Sequence, residues 1–313
     1  VVNVPSNWFF MPLVALALAM TLASFWAVAG ALSFSFGRNP LARILWLLIF
    51  LSLSEWTRGF VATGFPWNLT GSLFAVDLAS MQAASFIGVY GLCIVAMAFA
   101  AAPVFWAIGH RRFSIIAVTL PIILALAGAI RLAGAPVLGP LSNAKPVVRL
   151  VQPAIPQAEK WDPANRQIHL DRLVDLSRQN ELHPKLVIWP ETAFVGFPSR
   201  DAALLDKTVR DATSKKGTLI TGIPRFGDDQ TLLNSAIMLS HEGKIKGIYN
   251  KRHLVPFGEY IPFREWLPFL NPIVGAVDFS AGQNNALMQL EGIGTMQLLI
   301  CYEVIFSGEV LSL

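Results

Sequence analysis

The sequence predicts an α-helical membrane domain joined to a separate α/β domain. Three observations carry this reading. Charge is unevenly divided: residues 1–143 hold six Arg, no Lys and two acids, Glu55 and Asp77, whereas residues 144–313 hold 18 Lys plus Arg and 18 Asp plus Glu. The first part contains uncharged apolar runs of spanning length, and a bilayer crossing takes about 20 residues. The second part alternates short apolar strands with amphipathic helices and then gives strands in succession, the pattern of a layered domain with a mixed sheet. Over all 313 residues 54% are hydrophobic and 14% charged, with mean hydropathy +0.53, against about 25% charged in an ordinary soluble domain. A disordered chain is excluded, and an all-soluble one is disfavoured. The sequence pI of 9.2 comes from arginines beside apolar runs, with no basic patch interleaved with aromatics, so no nucleic-acid partner is expected. Two cysteines, Cys93 and Cys301, give neither a disulfide framework nor zinc spacing.

Residues 1–132 form the expected membrane domain, of about four spans. Phe9–Phe36 carries no charge and is the first. Ile44–Ser54 is short and reaches spanning length only by including Glu55 and Arg58. These two lie three apart, on one helical face, where they can pair. Leu78–Gly109 is an uncharged third run, with Cys93 inside it, and Phe113–Ile130 is a fourth. Between the second and third, Thr57–Trp67 contains Gly64 and Pro66, which break a helix, and Phe65 and Trp67, which suit the membrane–water interface. An ordinary aromatic-belt loop and a lipid-contacting, re-entrant segment both fit this composition. Arg38 and Arg43 lie between spans one and two, and Arg111 and Arg112 between spans three and four. Positive loops stay cytoplasmic, so the second domain is expected on the extracytoplasmic side; Arg131 opposes this. The chain does not begin with Met and shows no signal-peptide pattern, so a piece of a longer membrane protein is expected.

Residues 133–146, rich in Gly, Pro and small side chains, form the expected linker, and residues 147–313 the second domain. Val147–Val151 is a strand. Asp162-Pro163 opens a helix, with Asp as cap and Pro in the first turn; Leu170, Leu173 and Val174 give it an apolar stripe. Leu186–Trp189 is a short, wholly apolar strand, the signature of burial on both faces. Ala202–Ser214 is helical, Gly217 ends it, and Thr218–Ile223 is a strand. Asn234–Ser240 and Lys244–Tyr249 flank Glu242-Gly243 as a hairpin. Thr295–Ile300 is the last strand.

Three polar residues directly follow strand-like segments: Glu191, Lys251 and Cys301. Strand ends are where distant parts of a layered α/β chain converge. The set is chemically complete. A cysteine is a nucleophile that forms a thioester. A carboxylate takes and returns protons. An ammonium stabilises an oxyanion and favours thiolate. Each residue also has a structural alternative: a small buried hydrophobe for Cys301, a cap for Glu191, a solvated face for Lys251 beside Arg252.

The residues around them carry a resemblance. Leu186-Val187-Ile188-Trp189-Pro190-Glu191-Thr192, the run Tyr249–Tyr260 with its Lys-x-His-Leu-Val-Pro-Phe-Gly-Glu core, and Ile300-Cys301-Tyr302-Glu303 resemble the nitrilase, or carbon–nitrogen hydrolase, superfamily. Within it they look most like the bacterial apolipoprotein N-acyltransferases, as do Val151–Gln157 with Lys160-Trp161-Asp162, and Thr63–Trp67 in the first domain. The resemblance implies a nitrilase-like αββα sandwich, incomplete in this chain, on a multi-pass domain of the bacterial inner membrane and facing the periplasm. It implies Glu191 as general base, Lys251 as oxyanion stabiliser and Cys301 as nucleophile. Glu259 falls on a second glutamate that holds the lysine, Tyr302 and Glu303 follow the nucleophile, and Trp161 matches a tryptophan over the substrate pocket. Packing under the strand-to-helix corner is the plainer reading of Trp161. The implied reaction moves an acyl chain from a phospholipid to the α-amine of a diacylglyceryl-cysteine lipoprotein, with no metal or organic cofactor. A membrane-tethered amidase needs the same three residues. A non-catalytic scaffold would tolerate their loss, and all three are present.

Overall fold

The structure, a computed structural model, describes residues 11–136, 146–179, 183–262, 264–266, 278–283, 287–306 and 308. The described residues fall into two compact units, one of residues 11–136 and one of those from 146 onward.

The first unit is helical. Helices α1 (Met11–Phe36), α2 (Pro40–Arg58), α4 (Ala84–Ala107) and α5 (Arg111–Ala133) are long and apolar enough to cross a membrane, and a short α3 (Leu78–Gln82) precedes α4. Helix α2 begins where its sequence dictates: the Asn39 side chain accepts from the Ala42 N–H at 2.8 Å, and Pro40 occupies the first turn. The run Leu78–Gly109, expected as one span, is not a continuous helix. It is divided at Ala83, and Gly88 sits at φ +66. Apolar composition reports lipid solubility and says nothing of helix continuity, and glycine takes a left-handed φ without steric cost. The anticipated Glu55–Arg58 pair also does not form. Glu55, 1% exposed, accepts from the Thr70 N–H and hydroxyl at 3.1–3.2 Å. Arg58 Nε and Nη2 have no hydrogen-bond partner among the described residues. Sharing a helical face brings two side chains near each other, but here the turn at Thr70 offers two fixed donors to the carboxylate. Of the linker expected at 133–146, residues 137–145 lie outside the described residues.

The second unit is built on a five-stranded sheet in the order β1 (Val148–Leu150), β2 (Leu186–Ile188), β3 (Thr218–Phe226), β4 (Leu232–Ser240), β5 (Ile245–Asn250). The first three strands are parallel and the last two add antiparallel. Gly243, at φ +80, turns the β4–β5 hairpin as its sequence signal requires. Asp162 caps a short 3₁₀ turn, Pro163–Asn165, that leads into α6 (Arg166–Arg178), and α7 is Ala202–Ala212. Leu170, Leu173, Leu205 and Val209 from these helices pack on Val187, Leu219, Ile223, Ile237 and Leu239 from one sheet face. Leu186, Ile220, Ala236, Met238 and Tyr249 on the other face pack on Met288, Leu290 and Ile300. Those residues belong to, or follow, a separate antiparallel pair, β6 (Leu287–Leu290) and β7 (Gly294–Gln297). Burial on both faces is why β2 reads as an unbroken apolar run and why β3 and β4 are apolar over most of their length.

The domain is therefore layered α-β-β, the first three layers of the expected sandwich. A second helical layer is not present among the described residues. The strand expected at Thr295–Ile300 is shorter and lies in the second sheet. Cys301 thus follows β7 after three intervening residues, Leu298–Ile300, instead of directly following a strand.

Candidate active site

The C-terminal ends of the parallel strands β2 and β3, the start of antiparallel β4 and the end of β5 meet along one edge: Pro224 pairs with Asn234, and Ser235 with Asn250. Glu191 leaves β2 at this edge, after Trp189-Pro190. The Glu191–Thr192 turn lies against β3 at Gly222, where a Cβ would collide with the Thr192 nitrogen and the Glu191 backbone. Glycine at 222 is thus required by close backbone approach, and Thr192 accommodates the turn at φ +49. Lys251 is the first residue past β5, and its N–H donates to the Asn234 carbonyl at 2.8 Å, extending the ladder by one pair.

The Lys251 side chain is 1% exposed. A buried ammonium must be paired, and two carboxylates surround it. Its Nζ lies 2.8 Å from Glu259 Oε2 and 3.8 Å from Glu191 Oε1. The turn through Phe257, at φ +60, and Gly258 folds Glu259 back, and the Val255 N–H holds the same Oε2 at 2.8 Å. Asn234, not among the residues expected from sequence, joins the two acids. Its Nδ2 donates at 2.7 Å to Glu191 Oε1 and at 2.7 Å to Glu259 Oε1. The available signal was a polar amide within the apolar run of β4, since buried amides are almost always partnered.

Cys301 is an exposed residue at φ +53, opening the 3₁₀ turn Cys301–Ile305. Partial burial pushes its thiol above the ordinary range, and the adjacent Glu191 charge adds to this; Lys251 and the Tyr302 N–H act the other way. The resting group is therefore a thiol beside a carboxylate that can remove its proton. Glu303 points away from this chemistry. It is 2% exposed; Oε2 accepts from the Ile300 N–H at 2.7 Å, and Oε1 from the Tyr249 hydroxyl, the Arg252 N–H and the His253 N–H at 2.7–3.1 Å. One buried carboxylate thus ties the cysteine turn to the chain just after β5, and it holds the Tyr249 hydroxyl well above its usual ionisation range, second to burial. The Tyr302 ring is buried against His253 and Phe306. Trp161 is 46% exposed and makes no hydrogen bond or ring contact with the cluster among the described residues.

A carboxylate, a buried lysine and a cysteine thus converge at one edge of an α-β-β domain. The profile of the carbon–nitrogen hydrolase family matches residues 147–313, and the chain belongs to it. Residues 2–102 match the apolipoprotein N-acyltransferase N-terminal domain. Apolipoprotein N-acyltransferases from Brucella suis biovar 1 (strain 1330) and Rhizobium etli (strain CIAT 652) are 35% and 36% identical over 320 residues, 96% of this chain. One from Rhodopseudomonas palustris is 31% identical over 327 residues. The chain spans 58–59% of the length of these relatives. Among solved structures, a carbon–nitrogen hydrolase from Helicobacter pylori G27 is 16% identical with TM-score 0.32, covering 44% of this chain and 47% of that one.

The charges around Cys301 fix the direction of its pH response. In a Cys93→Ser background, the midpoint of Cys301 alkylation against pH should lie above that of an ordinary thiol. Glu191→Gln should lower it by removing a neighbouring negative charge, and Lys251→Met should raise it. A midpoint that rises in Glu191→Gln contradicts the arrangement.

Proposed function

We propose that this chain is the catalytic part of an acyltransferase that moves an acyl chain from a phospholipid to the N-terminal α-amine of a diacylglyceryl-cysteine lipoprotein, through a thioester on Cys301. One observation carries the reading: the Glu191–Lys251–Cys301 cluster stands on the same chain as four apolar helices, and residues 2–102, which hold α1, α2 and most of α4, match the N-terminal domain of the apolipoprotein N-acyltransferases.

The chemistry proceeds in two halves. Glu191 takes the Cys301 thiol proton as sulfur attacks the ester carbonyl. Lys251 and the Tyr302 N–H stabilise the oxyanion, the work of preorganised donors in a poorly hydrated site. The C–O bond breaks, Glu191 returns the proton to the leaving alkoxide, and a lysophospholipid departs. The lipoprotein amine then attacks the thioester and gives a proton to Glu191. The C–S bond breaks, and the thiolate is reprotonated. Glu259 and Asn234 hold Lys251 and Glu191 in register throughout. Glu303 fixes the nucleophile turn, and Trp161 borders the acyl pocket. Neither lipid substrate leaves the bilayer readily, because each buried CH₂ is worth about 0.8 kcal/mol. An active site tethered to spanning helices meets that constraint.

A labelled phospholipid should leave its acyl chain on Cys301, detected by mass spectrometry. Cys301→Ser should abolish the adduct, since a hydroxyl is far harder to deprotonate than a thiol. Cys93→Ser should preserve it, because Cys93 is buried within α4. Label on Cys93, or an adduct formed from small amides and not from phospholipid, contradicts the reading; the latter outcome makes the chain a tethered amidase.

The setting proposed is the bacterial inner membrane, with the catalytic domain periplasmic. Arg38 between α1 and α2, Arg43 in the first turn of α2, and Arg111 and Arg112 at the start of α5 support this side. A reporter fused after Lys145 should be active only outside the cytoplasm; activity confined to the cytoplasm overturns the orientation.

A further inference from the structure

The Glu191–Thr192 peptide is gripped from two directions. Its nitrogen end packs where the side chain of Gly222 would be. Its carbonyl end is held by a residue that takes no part in the mechanism above: Lys160 Nζ donates to the Glu191 carbonyl at 2.9 Å. Lys160 ends the turn that leads from β1 to α6, where the Glu159 N–H donates to the Pro156 carbonyl at 3.0 Å and the Asp162 N–H to the Glu159 carbonyl at 3.1 Å. The lysine therefore reaches the β2 end from a locally closed turn.

The contact matters because of what the peptide carries. Thr192 at φ +49 is in a conformation that residues with a side chain rarely adopt, and such positions persist only where the surroundings impose them. The Glu191 carboxylate is aimed at Asn234 and Lys251 from this turn, so its position depends on the peptide being held. The ammonium is half-buried, and the titratable groups facing it are the Glu191 carboxylate and the Cys301 thiol, which becomes a charge only as thiolate. Burial lowers the ionisation of Lys160, and both of those groups act to restore it. The groups acting on the Cys301 sulfur are Glu191, Lys251 and the Tyr302 N–H, and Lys160 itself interacts electrostatically with it. Methionine at 160 would leave the carbonyl without its donor, glutamine would offer only a shorter, uncharged one, and both would remove a positive charge from beside the nucleophile.

We propose that Lys160 is a positioning residue of the catalytic centre, clamping the Glu191 turn through its carbonyl and supplying a second positive charge that balances Glu191 at Cys301. It divides the work with Lys251. The buried lysine is locked between two carboxylates, whereas Lys160 acts through the main chain of one of them. The inference rests on the reading of Glu191, Lys251 and Cys301 as the working site.

The test is the pH profile of Cys301 alkylation by iodoacetamide, in a Cys93→Ser background and in phospholipid vesicles, for Lys160→Met, Lys160→Gln, Lys160→Arg and Lys251→Met. Both neutral variants at 160 should move the midpoint upward and slow alkylation near neutral pH, by about tenfold for a shift of one unit. Lys160→Arg, which keeps the charge and the donor, should return the profile to that of the parent. A merely structural lysine would not give this pattern, because local disorder exposes the thiol and brings its midpoint toward the ordinary value, and arginine would not restore it. Should the neutral variants superimpose on the parent while Lys251→Met moves, the role of Lys160 is refuted and the site stands. A profile that neither lysine moves overturns both. Two neutral variants guard against one of them failing to fold.

Discussion

The site is organised by the need to keep one buried charge paired. Lys251 leaves the end of β5 with its side chain 1% exposed, and a buried ammonium left without a counter-charge costs about 3–5 kcal/mol. Glu259 meets this at 2.8 Å, but only because the chain between them doubles back through Phe257 and Gly258. The same carboxylate then engages Asn234 on β4, and Asn234 in turn engages Glu191 beyond β2. Four residues from four positions in the chain are thereby held in one network. Glu191 is its least tightly paired and most exposed acid, 3.8 Å from the ammonium with a side chain 33% exposed. That asymmetry suits the two carboxylates to different work: the enclosed Glu259 holds a charge in place, and the open Glu191 exchanges protons.

The nucleophile is placed by a second buried acid. Glu303 accepts from four donors on two chain segments, and no basic side chain is ion-paired with it among the described residues. Its negative charge is met by N–H and O–H dipoles, which support a carboxylate well. The consequence is positional. The turn that carries Cys301 is fastened to the residues directly after Lys251, so thiol and ammonium cannot drift apart without breaking several bonds of a buried group. The left-handed backbone at Cys301 and at Thr192 fits such a site, where conformations of this kind are imposed by their surroundings.

Much of this was legible in the sequence because the governing patterns are local. Leu186–Ile188 is apolar on both faces because helices cover one side of the sheet and β6–β7 the other, and Glu242-Gly243 encodes its own turn. Glu191, Lys251 and Cys301 stood out as polar residues ending apolar segments. What escaped was non-local. Asn234 sits inside a strand, and its importance comes from two acids that are 43 and 25 residues away in sequence. The strand pattern at Thr295–Ile300 ran up to Cys301, but such a pattern specifies neither where the strand stops nor which sheet it joins. In the helical unit, hydropathy located the apolar runs but not the division at Ala83, and helical spacing placed Glu55 near Arg58 without revealing that Thr70 would claim the carboxylate.

The claim most open to a direct test is that Lys251 separates two acids into a proton carrier and a holder. Single-turnover acylation of Cys301 by phospholipid, compared in Glu191→Gln and Glu259→Gln, measures that separation. The expected result is that Glu191→Gln blocks acylation outright, while Glu259→Gln retains a slow reaction, reduced by about 10²–10³, the usual cost of a displaced oxyanion donor. Acylation in Glu191→Gln that is as fast as in Glu259→Gln, or faster, would contradict the account.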